Sequence, residues 1–381
     1  MNKRFHVLDG FRGIFALIVA IYHFKPGPGY LGHLRLIENG WFFVDFFFVL
    51  SGFVILYNYP AIKTYAQQKD FVIKRLLRLY PLHIAMLFVF LFFEGLKYLL
   101  YSSGHFNNPP FKDENLASFI ANVFMVQSYG LPIESLKHLS WNTPSWSISA
   151  EFFSYIIFCA VIPLIINSNK VQRILVFVSL TLVSLALLYI VNNGSLSLKI
   201  GAHFGIFRCS YSFFLGCVVC ELYTHIYQRY ERVLSQRVVG VYFSVLEILI
   251  VSITLFAVSY LPHEQSYIAP LLFFVCIFVF SFELGYLSKL LTNNLIQQLG
   301  KLSYSIYMVN AFVTILFEIV LLRIVKINNP IVYDLMIFPY LISIIFCASL
   351  SYKYFEIKGK AVMQRLLAKS VKVFTLVSVY R

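Results

Sequence analysis

The chain has 381 residues, of which 59% are hydrophobic and only 13% charged, with a formal net charge of +14. Soluble domains carry about 25% charged residues, so this chain cannot cover itself with charge and its solvent must be largely lipid. The basic excess does not point to nucleic acid, because the Lys and Arg residues are sorted by side, as shown below.

A bilayer-crossing helix needs ~20 apolar residues. About ten such stretches run along the chain, at roughly 5–24, 41–59, 80–101, 146–166, 173–191, 204–223, 238–260, 267–287, 303–325 and 331–354. Runs such as Ile174 to Val191 are continuously apolar, whereas barrel strands alternate. The expected fold is therefore all-α, a polytopic membrane protein folded as a single membrane-embedded domain over 1–381. Lys25, Arg35, Lys112, Lys137, Lys199 and Lys326 fall in loops on one side, and most of the rest of the 31 Lys and Arg lie on the opposite side. By the positive-inside bias, both termini are expected in the cytoplasm, with 354–381 a basic tail lying on anionic lipid.

The first stretch carries Asp9, Arg12 and His23. Charges within a span cost ~2.5–3.5 kcal/mol on insertion scales, which marks each as a functional candidate. Eleven residues return a helix to within about 20° of its start, so Arg12 and His23 share a face, about 16 Å apart along the axis. Asp9, three residues before Arg12, can pair with it. Asp9 and Arg12 also interrupt the apolar run, and no small-x-small cleavage pattern follows His23, so this is a retained span and not a leader.

The second stretch sets Asp45 among Phe42, Phe43, Phe46, Phe47 and Phe48, where a carboxylate needs a partner or a proton. At the third, Arg75 and Arg78 lie at i, i+3, a spacing suited to bidentate phosphate binding or to simple anchoring. A long segment, about 102–145, follows. It holds the turn signal Asn107-Asn108-Pro109-Pro110, a short amphipathic helix over Leu116 to Val126, and Trp141 to Trp146. The fourth stretch opens with Trp146, Ser147 and Glu151, and Ser147, Glu151 and Ser154 form one polar stripe. Trp141 and Trp146 suit either sugar stacking or an interfacial belt. Glu94, Glu221, Glu247, Glu283 and Arg208 fall in or near later spans, with no partner legible in sequence. The six cysteines all fall in apolar spans and read as packing residues, with no metal expected.

Leu8-Asp9-Gly10-Phe11-Arg12-Gly13 with the later His23 resembles the opening signature of the acyltransferase-3 family of membrane acyltransferases. Four further stretches resemble family motifs in the same order: Phe42 to Gly52, Arg75-x-x-Arg78 with Tyr80-Pro81, Trp146 to Phe153, and Gly300 to Tyr307. Two positions depart from the pattern. Met308-Val309-Asn310 stands where a His is common, and no proline follows Tyr352-x-x-x-Glu356. A soluble C-terminal hydrolase-like domain is also lacking, so transfer is expected within the membrane domain or with a partner enzyme.

The resemblance implies an acyl-CoA donor, usually acetyl-CoA, with no bound cofactor, and a glycan acceptor modified on the outer side of a bacterial inner membrane. It implies His23 as base or transient acyl carrier, Glu151 as its support, Arg12 on the donor or oxyanion, and Arg75 and Arg78 on CoA phosphates. Asp9, Asp45, Ser147 and Trp146 would support them. The competing classes are a transporter or flippase for a lipid-linked glycan, and a non-catalytic assembly subunit.

Overall fold

The computed structural model describes residues 3–24, 28–101, 109–199 and 202–368. Residues 369–381 of the expected tail, Lys25, and Asn107 and Asn108 of the expected turn lie outside them. Ten helices are long and apolar enough to cross a membrane. They are α1 (His6–His23), α2 (Gly40–Asn58), α3 (Tyr65–Leu100), α4 (Ser145–Ile165) and α5 (Lys170–Val191), then α6 (Gly205–Leu234), α7 (Arg237–Tyr260), α8 (His263–Phe280), α9 (Asn294–Ile324) and α10 (Pro330–Ala368). No strand occurs among the described residues. Helices satisfy their own backbone donors and acceptors, which lipid requires. Ten passes return the chain to its starting side, called here the basic face.

Four helices run further at the basic face than apolar length alone indicates. The third begins at Tyr65, the sixth reaches Leu234, the ninth begins at Asn294 and the tenth continues to Ala368. A 36-residue α3 is about 54 Å long, well beyond the ~30 Å hydrocarbon core. Its start is fixed by a capping box, Thr64 with Gln67. Pro81 lies inside this helix without ending it, next to Gly359 of α10.

α2 and α6 form the centre, buried over 78% and 89% of their apolar windows, whereas α5 and α7 are each buried over only 22% and face lipid. Glycine sets two close crossings. A Cβ on Gly52 would enter the Phe213 carbonyl, and one on Gly216 the Val49 carbonyl, so α2 and α6 touch backbone to backbone. Gly13 of α1 and Gly300 of α9 meet in the same way. Around these seams Phe11, Phe15, Phe43, Phe46 and Phe273 interlock, with ring centroids 4.4 Å apart for Phe15 and Phe43.

The buried charges without a legible partner all find one. Arg208 donates to both oxygens of Asp45, at 3.0 and 2.8 Å, and Ser212 adds a third donor. Glu94 pairs with Lys97, Glu221 with Arg173 and Glu283 with Lys3. Glu247 accepts from the Gly285 and Ser288 backbone and the Ser288 hydroxyl. Cys217 and Cys220 are buried in α6.

Candidate active site

One cavity of ≈ 880 Å³ opens on the basic face between α1, α2, α3, α4, α9 and the end of α10. That volume is within the range of small-molecule sites. Its spine is one stripe of α2: Val44, Phe47, Ser51, Val54 and Asn58, all at helical spacing. From Asn58 to Val44 the stripe runs about 21 Å.

The mouth is cationic, with Lys3, Arg4, Lys74, Lys301 and Lys360 around it. Lys74 is held by Asp70 and Lys3 by Glu283. Arg75 donates to the Tyr59 hydroxyl at 3.3 Å and lies over the Tyr59 and Phe71 rings. Its Nε is buried with no hydrogen-bond partner. Arg78 lines the cavity with no hydrogen bond or ion pair among the described residues. Arg12 completes the set, donating to Asp9 Oδ1 at 3.1 Å while Arg4 holds the other oxygen at 2.8 Å. Asp9 thereby fixes Arg12, as its spacing predicts.

Deeper in, Glu151 of α4 faces the same space. Tyr155 donates to its Oε1 at 2.5 Å, and Ser51 lies 2.9 Å from the Tyr155 hydroxyl. Arg78 and Glu151 are both close enough to Arg12 to act on it electrostatically. The cavity ends at Val44, Phe47, Ile148, Ser147 and Tyr307. Ser147 donates to the Tyr307 hydroxyl at 2.8 Å, Tyr307 to the Pro144 carbonyl at 3.2 Å, and Asn142 to the Met308 carbonyl at 3.0 Å. These bonds roof the cavity against the opposite face.

The cavity therefore brings together Asp9 and Arg12 of α1, Arg75 and Arg78 of α3, and Ser147 and Glu151 of α4. His23, Asp45 and Trp146 are not on its wall. His23 ends α1 half-buried, its ring 5.1 Å from that of Tyr22, with no hydrogen bond or ion pair among the described residues. Gly300 packs on Asp9 and Gly13, and α1 and α9 run the same way. Seven residues beyond Gly300 is Tyr307 and ten beyond Gly13 is His23, so the imidazole stands about 5 Å further out, one turn above the roof. Glu151 points to the cavity and does not contact His23; its hydroxyl partner is Tyr155. In place of the expected support of the imidazole, Glu151 is a carboxylate facing the cavity.

Asp45 and Trp146 serve another structure. The Arg208 guanidinium bound to Asp45 is 4.9 Å from the Trp41 ring and 5.4 Å from that of Trp146. This is a buried lock between α2, α4 and α6, where long-range pairing absorbs the charge that sequence left unassigned.

Four cavity groups were not foreseen: Ser51, Tyr155, Tyr304 and Tyr307. The two last lay in plain sight at i, i+3 in the Gly300–Tyr307 stretch. Glu356 also counts. It is buried behind the wall, takes a hydrogen bond from Ser305 at 2.5 Å, leaves its second oxygen unpartnered, and feels the charges of Arg78 and Arg12. Among the described residues no cluster of His, Cys, Asp or Glu suits a metal ion.

The acyltransferase-3 family model, described as an acyltransferase domain, matches residues 5–352. No curated protein and no solved structure matches the chain.

Proposed function

The chain belongs to the acyltransferase-3 family, and from that footing we propose that it moves an acyl group, acetyl first among them, from acyl-CoA to a hydroxyl of a surface polysaccharide or other glycan. The observation that carries this reading is the convergence of Arg12, Arg75 and Arg78 in one cavity that opens on the basic face. Guanidinium forks match phosphate oxygens bidentately, and CoA is a phosphate-rich anion with a long, thin arm.

In this reading the basic face is cytoplasmic, in a bacterial inner membrane, and the donor enters from there. Its phosphates rest on Arg75 and Arg78, with Lys301 and Lys360 at the rim. Arg12, held by Asp9, binds the donor further in. The pantetheine arm follows the α2 stripe, and the thioester comes to rest below Ser147 and Tyr307. Those hydroxyls are placed to donate to the carbonyl oxygen as charge develops on it.

The acceptor approaches from the opposite face, past His23. The imidazole takes the proton of the attacking hydroxyl, the tetrahedral centre forms and collapses, and the CoA thiolate leaves and receives that proton from the imidazolium, which returns His23 to its neutral form. Two groups meet through the roof, so the Tyr307–Pro144 and Asn142–Met308 hydrogen bonds are the contacts that part when the acceptor enters. No partner enzyme is required for this sequence of steps.

The test is sided. In proteoliposomes, acetyl-CoA is supplied to the basic face alone, and free CoA and acylated glycan are measured on each side. CoA released at the basic face, with acylated product at the other, is expected. Glycan translocated without any loss of acetyl-CoA would replace this reading by the transporter.

A further inference from the structure

The cavity changes character along its length. Up to Ser51, Glu151 and Tyr155 its wall carries the charged groups, with Leu8, Val54, Ile55 and Leu77 among them; beyond them it has no charge and is Val44, Phe47, Ile148, Ser147 and Tyr307. Within residues 41–50 every side chain is buried except Phe47, whose ring keeps exposed surface where it lines the cavity. That ring is braced by Phe46, 5.9 Å away, and faces Tyr307, 6.3 Å away. Until the acceptor enters and the roof parts, Tyr307 cannot swing aside freely, because Ser147 and Pro144 hold its hydroxyl. The closed end is therefore a braced aromatic stop.

The length available is set by the spine of α2. Arg75, bonded to Tyr59, marks the mouth; along α2 Phe47 lies about 18 Å and Val44 about 22 Å further in. In a CoA thioester, about fifteen bonds separate the inner diphosphate phosphorus from the acetyl methyl. Three bonds of extended chain cover ~3.3–3.6 Å, so the arm measures about 17 Å. A phosphate seated on a guanidinium takes up roughly 4 Å more. The sum, about 21 Å, brings the acetyl group past the level of Phe47 to the end of the cavity at Val44, so a longer acyl chain has to displace the Phe47 ring.

We propose that Phe47, closed against Tyr307, is the specificity-determining residue that limits the transferred acyl group to acetyl length. The inference rests on the reading of the cavity as an acyl-CoA site. A methylene misfitted in an apolar pocket is worth about 10- to 200-fold in discrimination, and butyryl carries two more than acetyl.

The experiment uses the full chain in nanodiscs with acetyl-, butyryl- and hexanoyl-CoA, following free CoA thiol, beside Phe47→Ala and Phe47→Leu. Inhibition by CoA itself reports whether the mouth is intact. The wild type is expected to lose more than about tenfold in kcat/KM from acetyl to butyryl. Phe47→Ala is expected to raise the butyryl-to-acetyl ratio at least about tenfold, and Phe47→Leu by less, with CoA inhibition unchanged in both. Turnover with an unshifted ratio in both variants, CoA inhibition being intact, overturns this inference alone. A wild type that neither binds CoA nor consumes any of the three thioesters overturns the donor-site reading and this inference together.

Discussion

Replacing Arg78 by Gln removes a guanidinium that lines the cavity and has no direct partner in it. If its work is to hold a donor phosphate, the loss falls on binding. A hydrogen bond to a charged group is worth about 1.5–3 kcal/mol, which corresponds to an increase of about 10- to 150-fold in KM for acyl-CoA. The chemistry lies further in, so kcat is expected to change little, the signature of lost uniform binding. Folding should hardly notice, since no ion pair is broken; Glu356 loses one of the two cations acting on it but keeps Arg12. Arg75→Gln is expected to raise KM less cleanly and to cost some stability, because Arg75 also packs on Tyr59 and Phe71. The assay is CoA release against donor concentration at two salt concentrations, with thermal unfolding in parallel. An unchanged KM in Arg78→Gln and in a variant carrying both Arg75→Gln and Arg78→Gln would refute phosphate binding and leave both residues as membrane anchors.

Three further outcomes follow from the packing. Asp45→Ala leaves Arg208 buried without its carboxylate and should destabilise the protein by about 3–5 kcal/mol; an unaltered melting temperature would show the lock to be idle. Gly13→Ala puts a methyl group against the Gly300 backbone and should cost about 1–3 kcal/mol, read as a lower melting temperature and a weakened hold of Asp9 on Arg12. At Glu114, in the loop before α4, burial pushes the carboxyl above its usual range, and the charge of Glu94 adds to the effect. The folded state then keeps the proton longer than the unfolded one, so this contribution to stability is full at low pH and lost as pH rises through the folded value. Glu114→Gln should therefore raise the melting temperature at neutral pH and not at about pH 4; an equal shift at both would exclude a titration effect.

Much of the architecture was legible because lipid demands ~20 apolar residues per crossing, a signal that survives without tertiary information. The polar extension of α3 from Tyr65 to Arg78 was not, because hydropathy falls there and Pro81 reads as a breaker, although Thr64 and Gln67 mark its start. Helical spacing was enough to align Asp9 with Arg12, Arg75 with Arg78, and Ser147 with Glu151. It could not show that these faces meet in one cavity, since that depends on the glycine seams between helices. The partner that Asp45 needs was illegible for the same reason: Arg208 is 163 residues away. Arg12 and His23 do share a face, but the roof built by Tyr307, Pro144 and Asn142 divides that face into two levels. Glu356 had a recognisable sequence setting and no visible partner until Ser305 and Arg78 were placed beside it.

The most direct measurement is acetyl-CoA consumption by the purified protein in nanodiscs with a glycan pool, wild type beside His23→Ala. The expected result is turnover by the wild type and none by the variant, with CoA still inhibiting or binding at the mouth and the melting temperature retained. Full turnover by His23→Ala, or none by the folded wild type, would contradict acyl transfer through this site.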